Sequence, residues 1–300
     1  MRWIAPLLLA ACAAAPDAPS RPSAPVLPRA AAMVHSPLEG RPYDMMVPGA
    51  PGEPRPLVVV LHGYSSNGLR QAEYLHLPEL VREKQFYLAM PGGSRDPNGY
   101  RFWSATDACC NFWQAPVDDV GYLRALIEDA MVRYPVDPKR VFVVGHSNGG
   151  FMAHRVACEL SLRVAAVVSL AGPMVKDATR CVPVAPVSVL HIQGDADESI
   201  HVDGGVIGDG APPYPGTRDT VQAWARKNGC GLRTTVAGPP LDLDASPKAP
   251  GAETVRERFV DCPRSGAVEL WMMHGSTHEP EVSGDFARAL WAFLEAHPKP

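Results

Sequence analysis

The sequence predicts an α/β fold, a mostly parallel sheet covered by helices on both faces. Three observations predict it. From Leu57 onward, short β-branched runs alternate with helical segments. Each run is too short for a helix and apolar enough to be buried on both sides. One of them leads through a glycine-framed serine directly into an amphipathic segment, a strand, turn and helix in succession. The 300 residues, 46% hydrophobic and 20% charged with a formal net charge of −4, suit a single globular domain of this kind. A slightly acidic balance without Lys/Arg blocks lacks the electrostatic footprint of a nucleic-acid binder, so no nucleic-acid partner is expected.

Residues 1–12 run from Met1-Arg2-Trp3-Ile4 through an apolar stretch to Cys12, the grammar of an export signal. Leu9-Ala10-Ala11-Cys12 resembles the lipobox of bacterial lipoproteins, which predicts cleavage before Cys12 and lipidation of its thiol. The alternative is an ordinary signal peptide cleaved a few residues later. Residues 13–40, rich in Ala, Pro and Ser without periodicity, predict an extended spacer, and residues 41–300 the folded domain. Beyond the first dozen residues no stretch approaches the roughly 18 apolar residues of a spanning helix. The only membrane contact expected is the lipid anchor.

Strands are predicted at 57–61, 86–90, 141–144, 164–169, 187–191 and 268–273. Between them, 120–134 places Val120, Leu123, Ile127 and Met131 on one helical face, with Asp118 able to cap its start and Pro135 closing it. A last helix over 284–297 carries Phe286, Leu290 and Phe293 at helical spacing. The Gly- and Pro-rich stretches 203–215 and 237–251 read as loops.

The strand at 141–144 enters Gly145-His146-Ser147-Asn148-Gly149-Gly150 and then a helix with Phe151, Met152 and Val156. On such a turn the backbone is strained and crowded, so glycines must flank the serine, whose hydroxyl then projects above the sheet. Ser147 is the candidate nucleophile. The backbone N–H groups of Asn148 and of Tyr64, in Leu61-His62-Gly63-Tyr64 after an earlier strand, are candidate oxyanion donors. His62 is expected to brace that loop.

In this chain order the acid follows a later strand. Asp197 is preferred, because a carboxylate needs a few residues of turn to reach a histidine. Asp195 is the runner-up that otherwise holds the turn, Asp203 is a weaker candidate, and Asp118 and Asp119 are read as helix caps. After the strand at 268–273, His278 lies past a small-residue turn and is the candidate base. His274 abuts the strand and is expected to be packed. The two lie on no helical pattern, and no cysteine or histidine spacing suggests a metal.

Apart from Cys12, six cysteines remain, Cys109, Cys110, Cys158, Cys181, Cys230 and Cys262. An even number in an exported chain predicts three disulfides. Cys230 with Cys262 is the preferred pair, Cys109 and Cys110 then reaching Cys158 and Cys181 in either order.

From about Tyr43 to His297 the chain resembles the polyhydroxybutyrate depolymerase and feruloyl esterase group of exported α/β-hydrolases. The resemblance rests on Leu61-His62-Gly63, the block from Arg101 to Cys110, Val117-Asp118-Asp119-Val120, Tyr134-Pro135-Val136-Asp137, the segment Gly145 to Gly150, Asp197, and Trp224 through Asn228-Gly229-Cys230. It implies a serine carboxylic ester hydrolase without a cofactor, with the triad Ser147, Asp197 and His278. The expected substrates are short-chain acyl, polyhydroxyalkanoate-type or polysaccharide-linked esters, and the expected assembly is a monomer. A serine peptidase of the same fold and a non-catalytic cell-surface binding protein are the alternatives. Relatives place glycines before the histidine and a tryptophan close after it, whereas this chain has Ser276-Thr277-His278-Glu279-Pro280. Glu279 is therefore expected to alter the substrate wall and to disfavour anionic esters. Trp103, Phe112 and Trp113 are expected to line the substrate cavity with Tyr64.

Overall fold

The six apolar runs become six neighbouring parallel strands at the centre of one sheet. The computed structural model describes Met1 and residues 31–49, 52–208, 210–263 and 265–300. Cys12 and residues 13–30 lie outside the described residues. The strands are β1 (Ala32–Ser36), β2 (Tyr43–Val47), β3 (Arg55–Leu61), β4 (Tyr87–Met90), a small hairpin β5 (Ser94–Arg95) and β6 (Arg101–Phe102), β7 (Val136–His146), β8 (Ala166–Leu170), β9 (Ser188–Gly194), β10 (Thr234–Val236), β11 (Thr254–Phe259) and β12 (Val268–Met273). Ten of them form one sheet in the order β1-β2-β4-β3-β7-β8-β9-β12-β11-β10. The run from β4 to β12 is parallel, and the pairs at both margins are antiparallel.

Alternation along each strand feeds two cores. Leu57, Val59 and Leu61 point to the face covered by α3 (Asp119–Arg133), α4 (Asn148–Glu159) and α5 (Thr217–Asn228). Val58 and Val60 point to the face covered by α1 (Gly68–Tyr74), α2 (Leu77–Lys84) and α6 (Gly284–Ala296). The helices predicted at 120–134 and 284–297 form within a residue or two of their expected ends. Among the described residues no helix is long and apolar enough to cross a membrane.

Several expectations are corrected. Part of the segment read as spacer is strand β1, whose backbone pairs with β2 from Ala32 opposite Val47 to Ser36 opposite Tyr43. Asp118 does cap α3, accepting from Gly121 N–H at 2.7 Å, but Asp119 does not. It is fully buried, bonded to Arg41 at 2.6 Å and to the Ser104 amide at 2.7 Å, and ties the block around Trp103 to the helix.

The cysteines pair as Cys109–Cys110, Cys158–Cys181 and Cys230–Cys262. The third is the pair expected; the other two are not. Cys110 takes a positive φ of 81° in a tight turn that folds the adjacent cysteines onto each other. Cys158, at the end of α4, meets Cys181 with Cα atoms 5.1 Å apart.

Candidate active site

Close backbone approach explains the glycines around Ser147. A Cβ on Gly145 would lie 2.0 Å from Gly149 O, and one on Gly149 would lie 2.1 Å from Leu61 O. The serine itself is held at φ 53°, ψ −122°, a strained conformation for a residue with a side chain. This turn connects β7 to α4 and sets the hydroxyl at a helix N-terminus.

Three elements then converge. Ser147 Oγ lies 2.9 Å from His278 Nε2, and His278 Nδ1 lies 2.9 Å from Asp197 Oδ2. Asp197 sits just past β9 and His278 just past β12, strands that pair side by side in parallel, so their ends bring the two loops together. The Asp197 carboxylate also accepts from Gln193 Nε2 at 2.9 Å and from the amides of Ser199 and Ile200, each at 2.8 Å. Burial alone would raise its pKa, but the His278 hydrogen bond and charge, with those amides, hold it below the usual carboxylate value.

The loop after β3 is braced as expected. His62 Nδ1 donates to Gly63 O at 2.7 Å, and Gly93 N–H donates to its Nε2 at 2.8 Å. Burial lowers the His62 pKa to about 4. Among the described residues no acceptor takes the N–H of Tyr64 or Asn148. The Asn148 side chain is engaged, accepting from Trp103 N–H at 2.7 Å and donating to Trp103 O at 2.9 Å.

A pocket of about 390 Å³ opens at Ser147, and Gly63, Tyr64, Tyr74, His146, His278 and Glu279 border it. Arg70, on α1, also lines it and was missed in the sequence, where nothing distinguished this short helix from a loop. Of the expected substrate-wall residues, only Tyr64 and Glu279 stand at this pocket. Trp103 is fully buried, its Nε1 donating to His62 O at 3.1 Å, so it supports the loop from beneath. Phe112 and Trp113 are exposed and pack on each other. Phe112 instead borders a separate cavity of about 1060 Å³ along α4, which contains none of Ser147, Asp197 and His278. That cavity is the larger, but Ser147 and His278 border the smaller one.

His274 is exposed rather than packed, paired with Asp195 at 2.8 Å. Sequence reading also missed Asp244. Buried among loops, it accepts from Ser276 Oγ at 2.6 Å and from Glu281 N–H at 2.9 Å, gripping the chain on both sides of His278.

A parallel sheet with a serine at a strained strand-to-helix turn, and an aspartate and a histidine at the ends of two later strands, defines an α/β-hydrolase. The family is set by comparison: the chain belongs to the esterase PHB depolymerase family, whose model matches residues 42–221, and it is a carboxylic ester hydrolase. NocK of Nocardia uniformis subsp. tsuyamanensis, provisionally described as an esterase, is 31% identical over 304 residues, 90% of this chain and 85% of that protein. Feruloyl esterase B of Piromyces equi is 27% identical over 214 residues, 69% of this chain but 36% of that longer protein. An acetyl xylan esterase structure from Aspergillus awamori superposes with a TM-score of 0.60 at 14% identity, covering 87% of this chain and 99% of that one. At that identity the likeness concerns the fold.

Proposed function

We propose that Ser147 is the nucleophile, His278 the general base and acid, and Asp197 the carboxylate that orients the imidazole. The carrying observation is the chain of two 2.9 Å contacts from Ser147 Oγ through His278 to Asp197. In this reading His278 Nε2 takes the serine proton as Oγ attacks the ester carbonyl. The N–H groups of Tyr64 and Asn148 hold the oxyanion. His278 then returns the proton to the leaving alcohol, and water repeats the sequence on the acyl-serine to release the acid.

The modest pocket supports small acyl groups, on polyhydroxyalkanoate-type or polysaccharide-linked esters. Glu279 borders the pocket next to His278, and Arg70 borders it too, bringing a charge of opposite sign. Discrimination against anionic esters is therefore weaker than Glu279 alone implies. The disulfides fit a chain that folds in an oxidising compartment. Export, with lipid attachment at Cys12, completes the proposal. A fluorophosphonate probe followed by a panel of acetyl, butyryl, hydroxybutyryl and feruloyl esters tests it. Labelling with ester turnover supports the assignment of Ser147, and ester turnover without labelling contradicts it.

A further inference from the structure

The residue before Ser147 has two ring nitrogens, and the mechanism above uses neither. His146 is only 5% exposed, yet it lines the catalytic pocket. Its Nε2 lies 2.9 Å from the carbonyl oxygen of His278. A carbonyl can only accept, so Nε2 carries the proton and donates. The neutral ring then presents a lone pair at Nδ1. Burial, and after it the neighbouring His278, pushes the His146 pKa down to about 4, which keeps the ring neutral near pH 7.

Nδ1 and the reacting serine border one hollow. A Cβ placed on Gly63 would stand 3.5 Å from Ser147 Cβ and 3.7 Å from His146 Nδ1. The absence of a side chain at Gly63 leaves that space to a ligand. Tyr74 packs against the imidazole with ring centroids 5.5 Å apart, and its hydroxyl donates to Pro280 O at 2.8 Å. Of the other polar groups at this pocket, the Tyr64 hydroxyl donates to Asp96 at 2.6 Å and Gln71 Oε1 accepts from Gly63 N–H at 3.2 Å, while Gln71 Nε2 has no partner among the described residues but can only donate.

We propose that His146 recognises a hydroxyl group on the substrate, Nδ1 accepting its hydrogen bond while Nε2–H holds the segment that carries His278. The proposal rests on the assignment of Ser147, Asp197 and His278 and adds a chemical class, esters with a hydroxyl donor close to the scissile carbonyl. A substrate without that donor displaces water from Nδ1 and leaves its lone pair unpaired. One neutral hydrogen bond is at stake, so the hydroxylated ester gains about 3- to 10-fold in kcat/KM. The hydroxyl can stand on the acyl side, as in a hydroxyacyl ester, or on the alcohol side, as in a diol or sugar monoester.

Two matched pairs separate these sources: 4-nitrophenyl 3-hydroxybutyrate against 4-nitrophenyl butyrate, and ethylene glycol monobutyrate against propyl butyrate. The ratio of kcat/KM within a pair cancels any effect of a variant on the base, which both esters share. The wild type should prefer the hydroxylated member of at least one pair, and His146→Leu and His146→Gln should bring that ratio to about one. Gly63→Ala, which fills the hollow from the opposite side, should do the same and serves if the His146 variants do not fold. A wild-type ratio of one in both pairs overturns the proposal, as does a preference that survives in every folded variant. Failure of the triad assignment looks different: Ser147→Ala would still turn over the plain butyrate esters.

Discussion

Asp195 and Asp197 stand two residues apart on one turn and hold different histidines. Asp195 Oδ2 lies 2.8 Å from His274 Nδ1, whereas Asp197 Oδ2 lies 2.9 Å from His278 Nδ1. Only His278 reaches Ser147. The Asp195 side chain is 39% exposed and also accepts from Gly275 N–H at 2.6 Å, while that of Asp197 is fully buried. One carboxylate holds the turn, and the other holds the histidine that contacts Ser147.

Asp197→Asn should therefore lower kcat by roughly 10³ to 10⁴, because the amide no longer fixes the tautomer or stabilises the imidazolium. Asp195→Asn loses one exposed pairing and should cost well under tenfold. Steady-state kinetics of the two variants decide between them. A larger effect at Asp195 would exchange the two roles.

The three disulfides should contribute unequally to stability. Cys158–Cys181 and Cys230–Cys262 close loops of 23 and 32 residues, for which loop entropy gives about 3–4 kcal/mol each. Cys109–Cys110 closes almost none. Denaturant unfolding of the three double Cys→Ala variants should show large losses for the first two and a much smaller one for the third. Thiol titration of the unfolded, unreduced 31–300 domain should find no free thiol; two free thiols would contradict the pairing.

Acid should destabilise the fold before its carboxylates titrate. Burial pushes His62 and His146 from 6.5 to about 4 and His191 to about 3. Between about pH 6.5 and pH 4 the unfolded chain binds protons that the folded chain does not, so stability rises with pH and is lost on acidification. Each such ring adds about 1.4 kcal/mol per pH unit to the slope. Asp197, held below its ordinary value, contributes stability above that value that is lost only at still lower pH. Urea unfolding across this window should show the midpoint falling steeply; a flat profile would mean that these rings accept protons within the folded state.

The legible part of the fold was its parallel centre. Runs such as Leu57-Val58-Val59-Val60-Leu61 are buried on both faces and carry no polar interruption. The marginal strands were not legible for the converse reason: β11 has Arg256, Glu257 and Arg258 at its middle, and β2 places Asp44 between apolar residues. That Ser147, Asp197 and His278 would meet could be anticipated because chain order and strand ends restrict them. Asp244 could not, because its contact with Ser276 spans 32 residues between two loops. Trp103 was misread because a sequence shows an aromatic residue near the site but not whether it lies under the loop or in the pocket.

In the proposed mechanism Ser147 carries the acyl group. The most direct measurement is mass spectrometry of the protein after reaction with a fluorophosphonate, with the adduct located by peptide mapping, in the wild type and in Ser147→Ala. One adduct on Ser147 is predicted in the wild type and none in the variant, whose turnover should fall by several orders of magnitude with its fold intact. An adduct on another serine, or undiminished turnover in Ser147→Ala, would contradict the account.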